Sequence, residues 1–250
     1  MKIIIMTLFP KMINEAISHS IIGRAVENKL VEIEAVDFRP FSGNKHNQVD
    51  DYPYGGGAGM LIKAQPVVDC YRDICRNLAT DKPRVLYTTP SGKIWNQSMA
   101  VEFSKEEEII ILCGHYEGID KRAIDEIVTD EISIGDFILT GGELASMIIT
   151  DSIVRLRPNV LGKEESFENE SFSDGLLEHD HYTRPKNFEG KEVPEILLSG
   201  NHKKIEEYRR ANAIINTLKK RPDLLKTADL TETDKKILKN TTFFQKSVDF

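Results

Sequence analysis

Cysteine is scarce. Cys70, Cys75 and Cys113 are too few and too irregularly spaced for a disulfide framework or a zinc site, so a reducing cytoplasm is expected. No apolar run approaches the roughly 20 residues that a membrane helix needs, which leaves no spanning helix and no membrane partner in the reading. The opening MKIIIMTLFPK puts Pro10 and Lys11 where a leader would have a small-residue cleavage site, so it reads as a buried first strand. Phosphate cradles are missing as well. GGGAGM (Gly55 to Met60) has Met60 where the dinucleotide fingerprint ends in glycine. Gly92-Lys93, Gly162-Lys163 and Gly190-Lys191 are followed by Ile94, Glu164 and Glu192, never by the Ser or Thr of a Walker loop. There is no H-E-x-x-H, no G-x-S-x-G elbow, and His179-x-His181 lacks helical zinc spacing, so no metal ligands are assigned.

What is present describes one large domain, or one domain with a small appendage. Apolar residues make up 40% and charged residues 29%, enough for a sizeable core under a solvated surface. Charge is uneven. Asn201 to Phe250 holds 12 Lys+Arg against 7 Asp+Glu (+5), leaving 21 against 33 (−12) in the first 200 residues. A basic end on an acidic body suits a polyanion, or it is a solvated helical face. Both readings stay open on charge alone.

Strands are expected at Ile3 to Phe9, Val31 to Phe38, Arg84 to Thr89, Glu108 to Cys113 and Glu131 to Leu139, with helices at Met12 to Asn28, Ala64 to Leu78 and Ile119 to Val128. Short, nearly continuous apolar strands alternating with helices predict an α/β domain with a mostly parallel sheet. Thr140 and Glu143 fit a capping box that opens a helix from Leu144 to about Leu156. Leu161 to Gly175 is rich in Glu, Ser and Gly and reads as a mobile linker. Beyond it, Ile205, Tyr208, Ala211, Ile215 and Leu218 form a helical stripe among Lys203, Lys204, Arg209, Arg210, Lys219 and Lys220. A last helix starts near Thr231. The expected division is therefore 1–160, a 161–175 linker, and a helical domain over 176–250.

Two stretches place glycines where apolar runs end: LCGHYEGIDKR (Leu112 to Arg122) and SIGDFILTGGELASM (Ser133 to Met147). Such turns can wrap a nucleoside-like ligand in main-chain groups, or they are ordinary tight turns. Their position beyond the carboxyl ends of parallel strands, with Thr88-Thr89-Pro90, favours a ligand.

ISHSIIGRAVENKL, VDDYPYGGGAGM, LCGHYEGID, SIGDFILTGGEL, ESFSDGLLEHDHYTRP and VPEILLSGNH occur in that order along the chain. Together they resemble the bacterial tRNA (guanine-N(1)-)-methyltransferases, the TrmD family of the SPOUT superfamily. The resemblance implies a deep trefoil knot in the sheet domain, against the usual rule that chains do not thread. It implies S-adenosylmethionine bent into a pocket of Tyr87, Thr88, Thr89, Pro90, Gly114, Tyr116, Glu117, Gly118, Ile134, Gly135, Asp136, Phe137, Ile138, Leu139, Gly141 and Gly142. It further implies tRNA methylation at the guanosine 3′ of the anticodon (position 37), a homodimer with composite sites, and activity helped by magnesium.

The chemistry can be argued independently. A sulfonium methyl needs only in-line alignment. Guanine N1 carries a proton at neutral pH, so a carboxylate is wanted as base, and a cation would offset charge developing on the 6-oxo group. The family's base and arginine fall on Glu170 and Arg155. Glu170 stands in place of the usual aspartate, with Glu168 as the nearby rival. Arg157 is left between a functional role and a helix-dipole role. His115 and Tyr52 replace arginines of many members, and Ala58 and Ala145 replace prolines. Two other functions remain in view: an RNA-binding protein without chemistry, and a methyltransferase acting on ribosomal RNA or ribose.

Overall fold

The computed structural model describes all residues except 81, 163–169 and 249–250, and of 242–248 the backbone alone. It divides into two compact units, Met1–Lys163 and Glu164–Phe250.

The first unit is built on a five-stranded sheet of order β2-β1-β6-β5-β7. Its strands are β1 (Lys2–Thr7), β2 (Glu32–Asp37), β5 (Arg84–Ile94), β6 (Glu108–Cys113) and β7 (Asp130–Ser133), while β3 (Asp50–Asp51) and β4 (Leu61–Ile62) form a separate small ribbon. Every neighbouring pair in the large sheet is parallel. Alternation along the strands explains why they read as unbroken apolar runs. Ile4, Met6, Val85, Tyr87, Ile110 and Leu112 face one layer, with Val67, Cys70 and Ile74 of α3 (Ala64–Cys75) and Ala123 and Ile127 of α5 (Lys121–Ile127). Ile3, Ile5, Leu86, Ile109 and Ile111 face the other. There they meet Ile13 of α1 (Pro10–Ile17), Ala25 of α2 (Ser20–Glu27), Phe103 of α4 (Gln97–Phe103), and Ile149 and Ile153 of α6 (Glu143–Val154). Both faces are dry, as parallel sheets require.

Three expectations change. The single helix over 12–28 is two, because Ser20 takes φ +61°. Close packing follows: Gly23 donates to His19 O, and a Cβ on Gly23 would lie 2.5 Å from Ser18 O. The strand expected to reach Leu139 stops at Ser133, since Gly135 adopts φ +143° and leaves Ile134 to Leu139 as a loop. The capping box at Thr140 does not form. Gly142 is the N-cap without a side-chain cap, and the Glu143 carboxylate turns inward to accept from Thr7. A reciprocal cap occurs instead at Thr231, whose hydroxyl accepts from the Asp234 amide while Asp234 accepts from the Thr231 amide.

In the second unit, His202–Lys220 and Glu232–Val248 are helices that pack on each other. The deepest positions of the first are Ala213, Ile214, Asn216 and Thr217, with the expected stripe half-buried beside them. The reason is polar packing: Asn216 donates to Asp180 at 2.9 Å, and Thr217 Oγ1 accepts from the Leu177 amide. Arg210, read from sequence as part of an exposed basic face, is tied to Asp174 and Asp234 and joins the helices. Of the expected linker, 161–175, residues 163–169, Glu168 among them, lie outside the described residues.

Candidate functional site

Three loops meet at the carboxyl ends of β5, β6 and β7 around a cavity of about 350 Å³. β5 supplies the first wall. Its ladder with β7 shifts between Thr88 and Lys93, so residues 89–92 bulge out of register. Thr88 stays buried and its hydroxyl donates to Leu112 O at 3.3 Å. The second wall follows β6: Gly114 to Gly118, where Tyr116 takes φ +59° and Gly118 φ +117°. A non-glycine residue held at positive φ marks a backbone over-determined by its surroundings. The third wall follows β7, where the Ser133 hydroxyl holds the turn by bonding both the N–H and C=O of Gly135 at 3.2 Å.

Main-chain contacts join these walls. Gly142 N–H donates to Gly114 O at 2.8 Å, and His115 pairs with Gly141 in an antiparallel bridge. The approach requires glycine. A Cβ on Gly142 would run into Thr88 Oγ1 and sit 2.9 Å from Cys113 Cα. Burial raises the Tyr87 hydroxyl above its usual range, with a smaller opposing contribution from a main-chain hydrogen bond at Ile119. Burial also pushes the Cys113 thiol up, so it is an inert core residue behind the second wall.

All the residues assigned to the pocket from sequence line this cavity except Asp136. His115, Ile132, Ser133, Thr140 and Ala145 line it too and were missed. Inclusion of whole loops, not only their glycines, was the signal that could have found them. A wider cleft of about 920 Å³ opens among Lys2, Glu32, Arg84 and Glu106, where Lys2 pairs with Glu32 at 3.0 Å and Arg84 with Glu106 at 3.6 Å.

Arg155 is the C-cap of α6 in the first unit, and Glu170 belongs to the second unit, where its carbonyl accepts from Ser173 N–H at 3.2 Å. Arg157 donates to Ser104 O at 2.8 Å and pairs with Glu107 at 3.1 Å, which makes it a structural tie. Among the described residues no group of three or more His, Cys, Asp or Glu is placed to hold a metal ion, and no helix is long and apolar enough to cross a membrane.

Fold and site together define an α/β protein with a glycine-walled cavity at the ends of parallel strands. The family model described as tRNA (Guanine-1)-methyltransferase TrmD matches residues 1–227. Among curated relatives, the tRNA (guanine-N(1)-)-methyltransferase of Clostridioides difficile (strain 630) is 57% identical over 229 residues, 92% of this chain and 99% of that one. Its namesake in Exiguobacterium sibiricum is 55% identical over 96% of this chain and 97% of its own. That of Listeria monocytogenes serovar 1/2a is 53% identical over 96% and 98%. The chain belongs to the tRNA (guanine-1)-methyltransferase family.

Proposed function

We propose that the protein transfers a methyl group from S-adenosylmethionine to ring nitrogen N(1) of the tRNA guanosine at position 37, 3′ of the anticodon, and so guards the reading frame. The observation that carries this reading is the glycine-walled cavity in a chain that matches the family model over residues 1–227. The walls suit the ligand. They offer main-chain amides and carbonyls with no side chain at Gly114, Gly141 or Gly142, and the sequence has no phosphate fingerprint, as fits a nucleoside without phosphate.

When bound, S-adenosylmethionine supplies a methyl group that is already electrophilic. The residues from Tyr87 to Pro90, Gly114 to Gly118 and Ile134 to Gly142 orient it and exclude water. Glu170 takes the N1 proton as general base, one methylene longer than the aspartate it replaces. Arg155 offsets the charge that develops at the 6-oxo group. Magnesium assists, with no ligands assigned to it.

The family's deep trefoil knot belongs to this reading. The return of residues 134–142 to β6 through the Gly142–Gly114 hydrogen bond and the His115–Gly141 bridge supports it. A homodimer does too: Phe9 at the N-cap of α1, Met12 within it, and Leu144 and Ile148 of α6 are exposed apolar side chains, and the two helices pack together. The expected division into a catalytic domain (1–160), a linker and a tRNA-binding domain (176–250) is kept, with the cytoplasm as the place of action.

The test is methyl transfer from labelled S-adenosylmethionine to tRNA transcripts that differ only at the base 3′ of the anticodon. Guanosine should be methylated at N1 and the other three bases should not. Label on another nucleotide or on ribose would refute the assignment.

A further inference from the structure

The second unit holds a cavity of about 570 Å³ between the strip His179 to Lys186 and the helix His202–Lys220. Its charge is lopsided. Arg184, Lys186 and Arg209 line it, against one acid, Asp180. That carboxylate is taken up by Asn216 at 2.9 Å and Asn212 at 3.2 Å, which hold it below the usual carboxylate range. Arg184 and Lys186 are exposed and make no ion pair among the described residues. Arg209 gives Nη1 to Glu206 at 2.7 Å, yet its Nε is shut off from water with no hydrogen-bond partner among the described residues. The rest of the Arg209 side chain is 43% exposed, so its guanidinium still presents charge to an oxygen anion in the cavity.

Aromatic surface accompanies the charge. Tyr182 is 47% exposed and lies beside Tyr208. The His179 and His181 rings meet at a 44° tilt with centroids 4.5 Å apart, His179 Nδ1 engaged by Asp180 O and His181 Nε2 by Glu178. Planar rings that are half open to solvent beside unpaired cations are what unpaired nucleotides recognise: phosphate on the cations, base on the ring.

We propose that this cavity is a nucleotide subsite for an unpaired stretch of the tRNA substrate, with Arg184, Lys186 and Arg209 on its phosphates and Tyr182 beneath a base. The proposal rests on the tRNA reading above and adds where the second unit grips. It keeps Arg209 of the helical face suggested by sequence, while Arg210 is committed to Asp174 and Asp234.

The experiment uses the full chain carrying Arg184→Gln and Lys186→Gln together, at exposed positions where folding is not at stake, and Tyr182→Ala separately. Binding of a tRNA transcript is followed against salt, alongside steady-state methyl transfer and S-adenosylmethionine binding. In the double variant, tRNA Kd and KM should rise about tenfold or more. The slope of log K against log salt should fall by about 1.4, at about 0.7 per phosphate contact on single strands. kcat and cofactor affinity should not move. Tyr182→Ala should weaken tRNA binding with the salt slope intact, since stacking releases no counterions. Unchanged tRNA affinity and slope in the folded double variant, with the wild type methylating tRNA, would overturn the subsite and leave the methyltransferase reading standing. A wild type that neither binds nor methylates tRNA would overturn both.

Discussion

Thr7 Oγ1 donates a 2.8 Å hydrogen bond to Glu143 Oε1 across 136 residues of chain, and both side chains are buried. This bond fastens the first turn of α6 to the end of β1. Thr7→Val removes the donor and leaves the carboxylate short of a partner in a dry site, which should cost about 1–3 kcal/mol. Thr7→Ser keeps the hydroxyl and should cost much less. Urea unfolding of the two variants decides it, and equal destabilisation would show that the methyl group, not the bond, matters.

Asp130 and Arg84 give a pH signature. Burial pushes the Asp130 carboxyl up, but hydrogen bonds from Arg84 and Thr129 outweigh it and leave the group below the usual carboxylate range. A carboxyl lowered by folding contributes stability above its unfolded value, near pH 4, and loses it as pH falls through the folded value. Arg84→Met should therefore destabilise the protein more at pH 7 than at pH 3. Urea midpoints that shift equally at both pH values would remove Asp130 from the account.

Gly142→Ala should abolish binding of S-adenosylmethionine and lower thermal stability, because Cys113 Cα and Gly114 N stand 2.9 and 3.0 Å from the new carbon and main chain cannot step aside. Gly162→Ala meets open space and should leave both unchanged. Calorimetry and thermal melts read the pair. Valine at Gly141 is a less clean probe than alanine at Gly142, since its Cβ would press on the side chains of Glu143 and His115.

Glu170→Gln should nearly eliminate methyl transfer while S-adenosylmethionine and tRNA still bind, and Glu170→Asp should keep substantial activity. Arg155→Ala should lose about 100- to 1000-fold in kcat, the scale for one preorganised charge-stabilising donor. Single-turnover transfer at saturating ligand separates these from binding defects. Full activity in Glu170→Gln would pass the base to another group, with Glu168 first in line.

Leu144→Glu with Ile148→Glu places charge on exposed apolar positions of α6. Sedimentation should report a monomer, and methyl transfer should fall with the dimer. An active monomer would show that the site is complete within one chain.

The sheet was readable because burial on both faces leaves a plain trace: Ile3 to Met6 and Ile109 to Leu112 are apolar without interruption. Local signals failed where tertiary contacts overrode them. Thr140 and Glu143 have the right spacing for a cap, but Thr7, far off in sequence, claims the carboxylate. Thr231 and Asp234 form the reciprocal cap, and Arg210 bonds the same carboxylate without displacing it. The pocket was legible through glycines at strand ends. Asp136 was carried in by its neighbours, although only a period of contact, not a run of sequence, decides which loop residues face inward. Arg210 misled because charge counting cannot see the acids, Asp174 and Asp234, waiting for it.

Ile132 pairs with both Thr88 and Lys93, so the excursion between them leaves one rung of the ladder and returns to it. Gly92 lies against the main chain of Glu131 and Ile132, where no side chain would fit. This segment therefore has a required length. Deleting one residue from it would offset everything downstream by one position, and in a strand of period two that exchanges inside for outside. Trp95, packed on Phe103 with its indole N–H on Ser152, would trade places with Ile94, now 53% exposed. The cavity's first wall and the seating of α4 and α6 thus share one spacer, and a change in its length cannot alter the pocket alone.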